Sequence, residues 1–108
     1  LEGQKKPGII LIETELKKAE NETTGDAVLI SISDNGPGMS ESTVKRLFDP
    51  FFTTKPVGKG TGLGMSIAHQ IVVDKHKGQL KCISDIGEGT TFDILIPVKA
   101  VKSGASRL

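Results

Sequence analysis

The stretch PVGKGTGLGMSIAHQIV, residues 56–72, decides how the rest of the chain is read. Its first half places glycine at every second position: Gly58, Gly60, Gly62 and Gly64. Its second half is apolar at helical spacing through Leu63, Ile67 and Ile71, with Ala68 and Val72 beside them. Glycine loses more conformational freedom on ordering than any other residue, so such a run needs a physical reason. Two are open. The run is a mobile surface loop, or its backbone approaches a phosphate where the free N–H groups of a helix begin. The familiar phosphate motifs do not fit. A dinucleotide fingerprint needs G-x-G-x-x-G directly after a strand, and a Walker loop needs Gly-Lys-Ser/Thr at the helix start; TGLGMS meets neither requirement.

Upstream, GIILIETEL (8–16) and AVLISISDNG (27–36) are short and β-branched and read as an antiparallel strand pair across the polar connection KKAENETTGD. In the second run Val28, Ile30, Ile32 and Asp34 share one face. Ser40 is the expected N-cap of a short helix, ESTVKRLF, with Val44, Leu47 and Phe48 on one side, ended by Asp49-Pro50. FFTTKPVGKGTG has no period and reads as loop. In the helix from Leu63, His69, Gln70, Asp74 and Lys75 are assigned to the wet side and Gly78 to the C-terminal cap. QLKCIS and TTFDILIP form a second strand pair around DIGEG, with Phe92, Ile94 and Ile96 inward. The order predicts an α+β two-layer sandwich: a mixed, mostly antiparallel sheet with helices on one face. Residues 1–98 are expected to be one domain and 99–108 a flexible tail.

Composition narrows the function. The chain has 108 residues and a formal net charge of +1, so no strong field recommends nucleic acid or an acidic membrane surface. The aromatic residues are Phe48, Phe51, Phe52 and Phe92 alone, which argues against a base-stacking platform for single strands. A lone Cys82, alternating with Leu80, excludes an internal disulfide and reads as a small buried residue in a reducing, cytoplasmic setting. No apolar run is long enough to span a bilayer.

Three segments could carry chemistry. In DNGPGM (34–39), Asp34 ends a strand on its apolar face, where an uncompensated charge is expensive. Either it bonds nearby backbone N–H groups as a turn residue, or it accepts from the amine of a ligand such as adenine, with Gly36 and Gly38 allowing close approach to a flat ring. In LFDPFFTTK (47–55), Phe51 and Phe52 cannot both point inward from an extended segment, so one anchors the loop and the other sits at a pocket mouth, unless both plug a helix end. Lys55 and Lys59 are solvated lysines by default and charge partners if the glycine loop holds phosphate.

In this order, DNGPGM, FDPFFTTK, GKGTGLGMSIAHQIV, HKGQL and GEGTTFDILIP resemble the ATP-binding domain of sensor histidine kinases, within the wider group that includes DNA gyrase, mismatch-repair ATPases and the large heat-shock chaperones. The resemblance runs from about Gly8 to Val98. It implies that Asp34 recognises adenine beside Gly36 and Gly38, and that Phe51 and Phe52 root an ATP lid running from about Thr53 to Gly60. It implies that Gly60, Thr61, Gly62, Leu63 and Gly64 present N–H groups to the phosphates, with Lys55 and Lys59 nearby. Thr90 is matched to a threonine on the adenine side of the pocket, with Thr91 as the alternative if the alignment slips by one.

The resemblance also implies Mg²⁺ with ATP, phosphoryl transfer to a histidine on a separate dimerisation domain, and onward transfer to an Asp of a response-regulator receiver domain. His69 and His76 are not matched to the acceptor, which in such kinases lies in a separate helical hairpin. A helix carrying an Asn for Mg²⁺ and the phosphates precedes the strand matching GIILIETEL in the resembled domain. LEGQKKP has no Asn and is too short for it. The expectation is therefore an N-terminally truncated domain, the C-terminal part of the fold, which on its own binds ATP weakly and transfers nothing. Two other readings stand beside this one. A serine kinase of the anti-sigma-factor type would need no histidine hairpin, though FDPFFTTK argues against it, and a nucleotide-sensing or docking module would move its lid without catalysis.

Overall fold

The structure, a computed structural model, describes residues 7–19, 25–54 and 62–98. Four strands, Ile10–Lys17 (β1), Asp26–Asp34 (β2), Gln79–Asp85 (β3) and Gly89–Val98 (β4), form one sheet in the order β1-β2-β4-β3. Between β2 and β3 lie two short helices, Glu41–Arg46 (α1) and Gly64–His69 (α2), and α2 continues as a π-helical stretch, Gln70–Lys75. Both expected hairpins are present, β1 with β2 and β3 with β4. The expected mixed sheet is wholly antiparallel among the described strands. Its reason is topological: the helical crossover carries the chain past one strand's width to β3, and β4 returns into that gap against β2.

Because side chains alternate along each strand, the register sorts the sheet into two faces. One face carries cross-sheet rows. Ile12, Ile32, Phe92 and Cys82 form one, Thr14, Ile30, Ile94 and Leu80 the next, and Ile10, Asp34, Thr90 and Ser84 close its end. The opposite face is more polar, with Ser31 donating to Asp93 at 2.6 Å and the Ser33 and Thr91 hydroxyls 2.9 Å apart. Helix α2 and its continuation lie on the apolar face, where Met65, Ala68 and Val72 meet Ile32, Leu80, Phe92 and Ile94 around a cavity of about 240 Å³. The β1 side of that face is open: Ile10 and Ile12 are 67% and 63% exposed, and no described apolar residue is fully buried.

The helix face differs from the expected one. Ile67 and Ile71 stay about half exposed, while Met65, Ala68 and Val72 turn to the sheet. Small Ala68 and unbranched Met65 suit a helix lying close over β4, where bulky Ile would hold it off. His69 is likewise not on a wet face. It is half-buried against Phe48, ring centroids 5.1 Å apart, and so joins α2 to the turn that follows α1.

Helix ends follow local chemistry. Ser40 caps α1 as expected, its Oγ accepting from Thr43 N–H at 3.2 Å, while Glu41 pairs with Lys45 at 3.6 Å on the exposed side. At the other helix the left-handed C-terminal residue is Lys77 (φ 59°), not Gly78. Gly78 donates to the Val72 carbonyl at 2.8 Å, one residue further back than the usual six-to-one bond after such a residue, because the helix ends in a wider π turn. Glycine is required at 78 for a different reason: a Cβ there would overlap the Leu95 carbonyl oxygen on β4.

Candidate functional site

The end row of the apolar face brings together residues from both hairpins. Asp34 is the last residue of β2, and Thr90, its partner on β4, is 8% exposed. Asp34 Oδ1 accepts from Gly36 N–H at 2.8 Å, so the turn role open in the sequence is real. It uses one of roughly four acceptor positions on a carboxylate, and the ligand role remains available to the others. The apolar floor of Ile32 and Phe92 begins immediately behind this row.

Ser84 is the residue that sequence reasoning passed over. Its Oγ accepts from Met39 N–H at 2.9 Å, donates to the Gly89 carbonyl at 2.8 Å, and lies 2.9 Å from Thr90 Oγ1. The signal was available: a hydroxyl at the inward position after Leu80 and Cys82, on a strand pairing with one that carries Thr90. Ser84 ties the loop after β2 to the β3–β4 turn. Gly87 N–H donates to the Pro37 carbonyl at 2.7 Å in the same junction. Gly38 (φ 75°) approaches backbone of this chain, since a Cβ there would overlap the Asp85 carbonyl. Gly36 is buried. Asn35 holds the approach to β1, with Oδ1 accepting from Ile9 N–H at 2.9 Å and Nδ2 donating to the Pro7 carbonyl at 3.0 Å.

The second part of the site is the junction where the glycine loop meets α2. Phe51 (φ 68°) donates its N–H to the Gly62 carbonyl at 2.7 Å, and Gly62 (φ 75°) packs against the Phe51 backbone. The two phenylalanines differ in exposure: Phe52 is half-buried with the Arg46 guanidinium 4.7 Å from its ring centroid, while Phe51 is 71% exposed. Leu63 precedes α2, and the buried Ser66 returns its Oγ to the Leu63 carbonyl at 3.0 Å. Gly64 opens the helix with clear space where a Cβ would stand. Lys55, Lys59, Gly60 and Thr61 lie outside the described residues, as does residue range 99–108.

Cys82 is half-buried, its thiol pKa raised by burial and then by the Asp34 charge, which keeps it protonated and a poor nucleophile. Among the described residues no group of three or more His, Cys, Asp or Glu is placed to hold a metal ion, and no helix is long and apolar enough to cross a membrane.

The described residues thus bring together a carboxylate at a strand end, an apolar floor behind it and glycines at the start of a helix. Residues 3–100 match the family described as histidine kinase-, DNA gyrase B-, and HSP90-like ATPases, and the chain belongs to that family. Similar curated proteins include the sensor kinase CckA of Brucella abortus, 44% identical over 67% of this chain and 8% of its own length. Sporulation kinase C of Bacillus subtilis is 35% identical over 93% of this chain and 21% of its own length. Among solved structures, the nucleotide-free catalytic domain of histidine kinase ThkA superposes with a TM-score of 0.63 at 36% identity, covering 83% of this chain and 53% of that one. The mycobacterial sensor histidine kinase MprB gives a TM-score of 0.59 at 28% identity over 80% and 55%. The chain thus spans about half of the matched solved domains and between 8% and 21% of these curated relatives. Its sequence and fold are those of a histidine kinase ATPase domain.

Proposed function

We propose that this domain binds Mg·ATP in a two-component sensor histidine kinase and presents the γ-phosphate to a histidine on a separate dimerisation domain, from which a response-regulator Asp takes the phosphoryl group. The observation carrying this reading is the end row of the sheet, where Asp34 and Thr90 stand side by side at the head of an apolar floor. A flat base with an exocyclic amine suits that arrangement: its ring covers Ile32 and Phe92, and its N–H donors meet the carboxylate. Phosphates directed from there toward Gly62 and Gly64 would reach the N–H groups of the first turn of α2. Phe51 and Phe52 fix the root of the loop that would cover them.

Mg²⁺ bound with the nucleotide would neutralise phosphate charge there. Transfer of this kind rests on positioning and charge neutralisation, with no nucleophile required from this domain. A cytoplasmic location and the absence of nucleic-acid or direct membrane contact complete the reading.

Asp34→Asn in the full-length protein tests it. The amide presents an N–H where the amine also has one, and the loss is on the scale of an unpaired buried polar group, about 1–3 kcal/mol, or roughly ten- to hundredfold in ATP affinity. Calorimetry that finds ATP affinity unchanged sinks the adenine assignment.

A further inference from the structure

We propose that Ser84 is a positioning residue of the base pocket, whose hydroxyl orients that of Thr90 so that Thr90 offers a ligand only lone pairs. The inference rests on base recognition at Asp34 and adds a second determinant to it. A serine hydroxyl has one hydrogen and two lone pairs. Around Ser84 Oγ stand a carbonyl that can only accept, Gly89 O at 2.8 Å, and an N–H that can only donate, Met39 N at 2.9 Å. The hydrogen therefore goes to Gly89, and one lone pair to Met39. The third neighbour, Thr90 Oγ1 at 2.9 Å, must donate into the remaining lone pair.

Thr90 has then spent its only hydrogen. What it holds toward the head of the pocket is acceptor capacity, beside the acceptor-only carboxylate of Asp34 on the neighbouring strand. Two acceptors side by side favour a purine with an amine at C6 and disfavour one with an oxygen there. Neither residue alone enforces this, because a free threonine hydroxyl would turn its hydrogen toward an oxygen. Ser84 is held in turn by its place on β3, facing the loop after β2 and the β3–β4 turn at once.

The experiment compares ATP with inosine triphosphate, which replaces the C6 amine with oxygen, by calorimetry on the full-length protein. In Ser84→Ala the hydrogen of Thr90 is released, and the preference for ATP over inosine triphosphate is expected to shrink about tenfold, the scale of one hydrogen bond. Ser84→Thr keeps the hydroxyl and is expected to keep the preference. A purely structural role for Ser84 would weaken both nucleotides together and leave their ratio alone. Should Ser84→Ala not fold, Ser84→Cys keeps a side chain of similar shape with a far weaker acceptor for the Thr90 hydroxyl and reads out the same ratio. An unchanged ratio in a folded Ser84 variant overturns the proposal. If Asp34→Asn still loses ATP in that case, only the Ser84 inference falls; if Asp34→Asn binds ATP normally, the base reading falls and takes this one with it.

Discussion

Gly62 and Gly64 stand two residues apart in the same motif, yet replacing each with alanine should have opposite consequences. Gly62 has φ 75°, and an added Cβ would lie 2.6 Å from Phe51 Cα and closer still to its carbonyl group, all of it backbone with no flexible end to swing away. Forcing an L-residue into that conformation costs about 1–2 kcal/mol. Displacing Phe51 also weakens its 2.7 Å bond to the Gly62 carbonyl, about 1 kcal/mol more. The total of roughly 2–3 kcal/mol is a factor of about thirty to a hundred and fifty against the closed junction.

At Gly64 nothing lies within 4 Å of the added methyl, and the residue is helical. Alanine there favours the helix by up to about 1 kcal/mol, so the free protein should be as stable or more so. Any loss of nucleotide at Gly64→Ala must then come from the ligand side. Thermal unfolding of both variants, with calorimetry using ATP and adenosine, separates the effects. Gly62→Ala should lower the melting temperature, and Gly64→Ala should keep it while losing more affinity for ATP than for adenosine. Equal losses for the two ligands at Gly64→Ala, or a normal melting temperature for Gly62→Ala, would refute the reasoning.

Lys77→Gly should stabilise the protein by about 1 kcal/mol by relieving the left-handed conformation, whereas Gly78→Ala should destabilise it by driving a methyl into the Leu95 carbonyl; denaturant midpoints giving the reverse order would show that the helix end is misassigned. Asp26 accepts from Ala19 N–H at 2.7 Å, which with Lys18 outweighs burial and holds its pKa below the ordinary 3.8. A lowered carboxylate pKa stabilises above the unfolded value, and that contribution disappears as pH falls through the folded value, below about 4. Asp26→Asn should therefore flatten the acid limb of stability relative to the parent, and parallel curves in pH-dependent unfolding would contradict this.

The hairpins and the Ser40 cap were readable because each rests on a local rule, alternation or capping, whereas Thr90 was singled out only by the resemblance. What escaped depended on partners distant in sequence. Gly78 looks like a helix cap until Leu95 of β4 is seen against it. Ile67 and Ile71 outrank Met65 and Ala68 in hydrophobicity, but closeness to the sheet, not hydrophobicity alone, selects the inward side. His69 reads as polar until Phe48 supplies a ring to pack on. The same holds for Gly38, whose neighbour is the β3–β4 turn. Ser84 shows the complementary failure: an ordinary residue acquires a role only through three groups that the fold delivers to it.

The strand that leaves the ribosome last among those described, β4, lies in the interior of the sheet between β2 and β3. Its contacts reach far back along the chain: Ser31 meets Asp93 across 62 residues and Ser33 meets Thr91 across 58. During synthesis β2 therefore waits with one edge unpaired, and β3 has no neighbour to lie against, until Gly89–Val98 has emerged. Pairing over such separations pays its loop-closure entropy before any contact rewards it, which makes folding slow and leaves apolar edges open to other chains meanwhile. Asp34 and Thr90 come from opposite sides of that delay, so the row they share at the end of the sheet exists only once the central strand has closed.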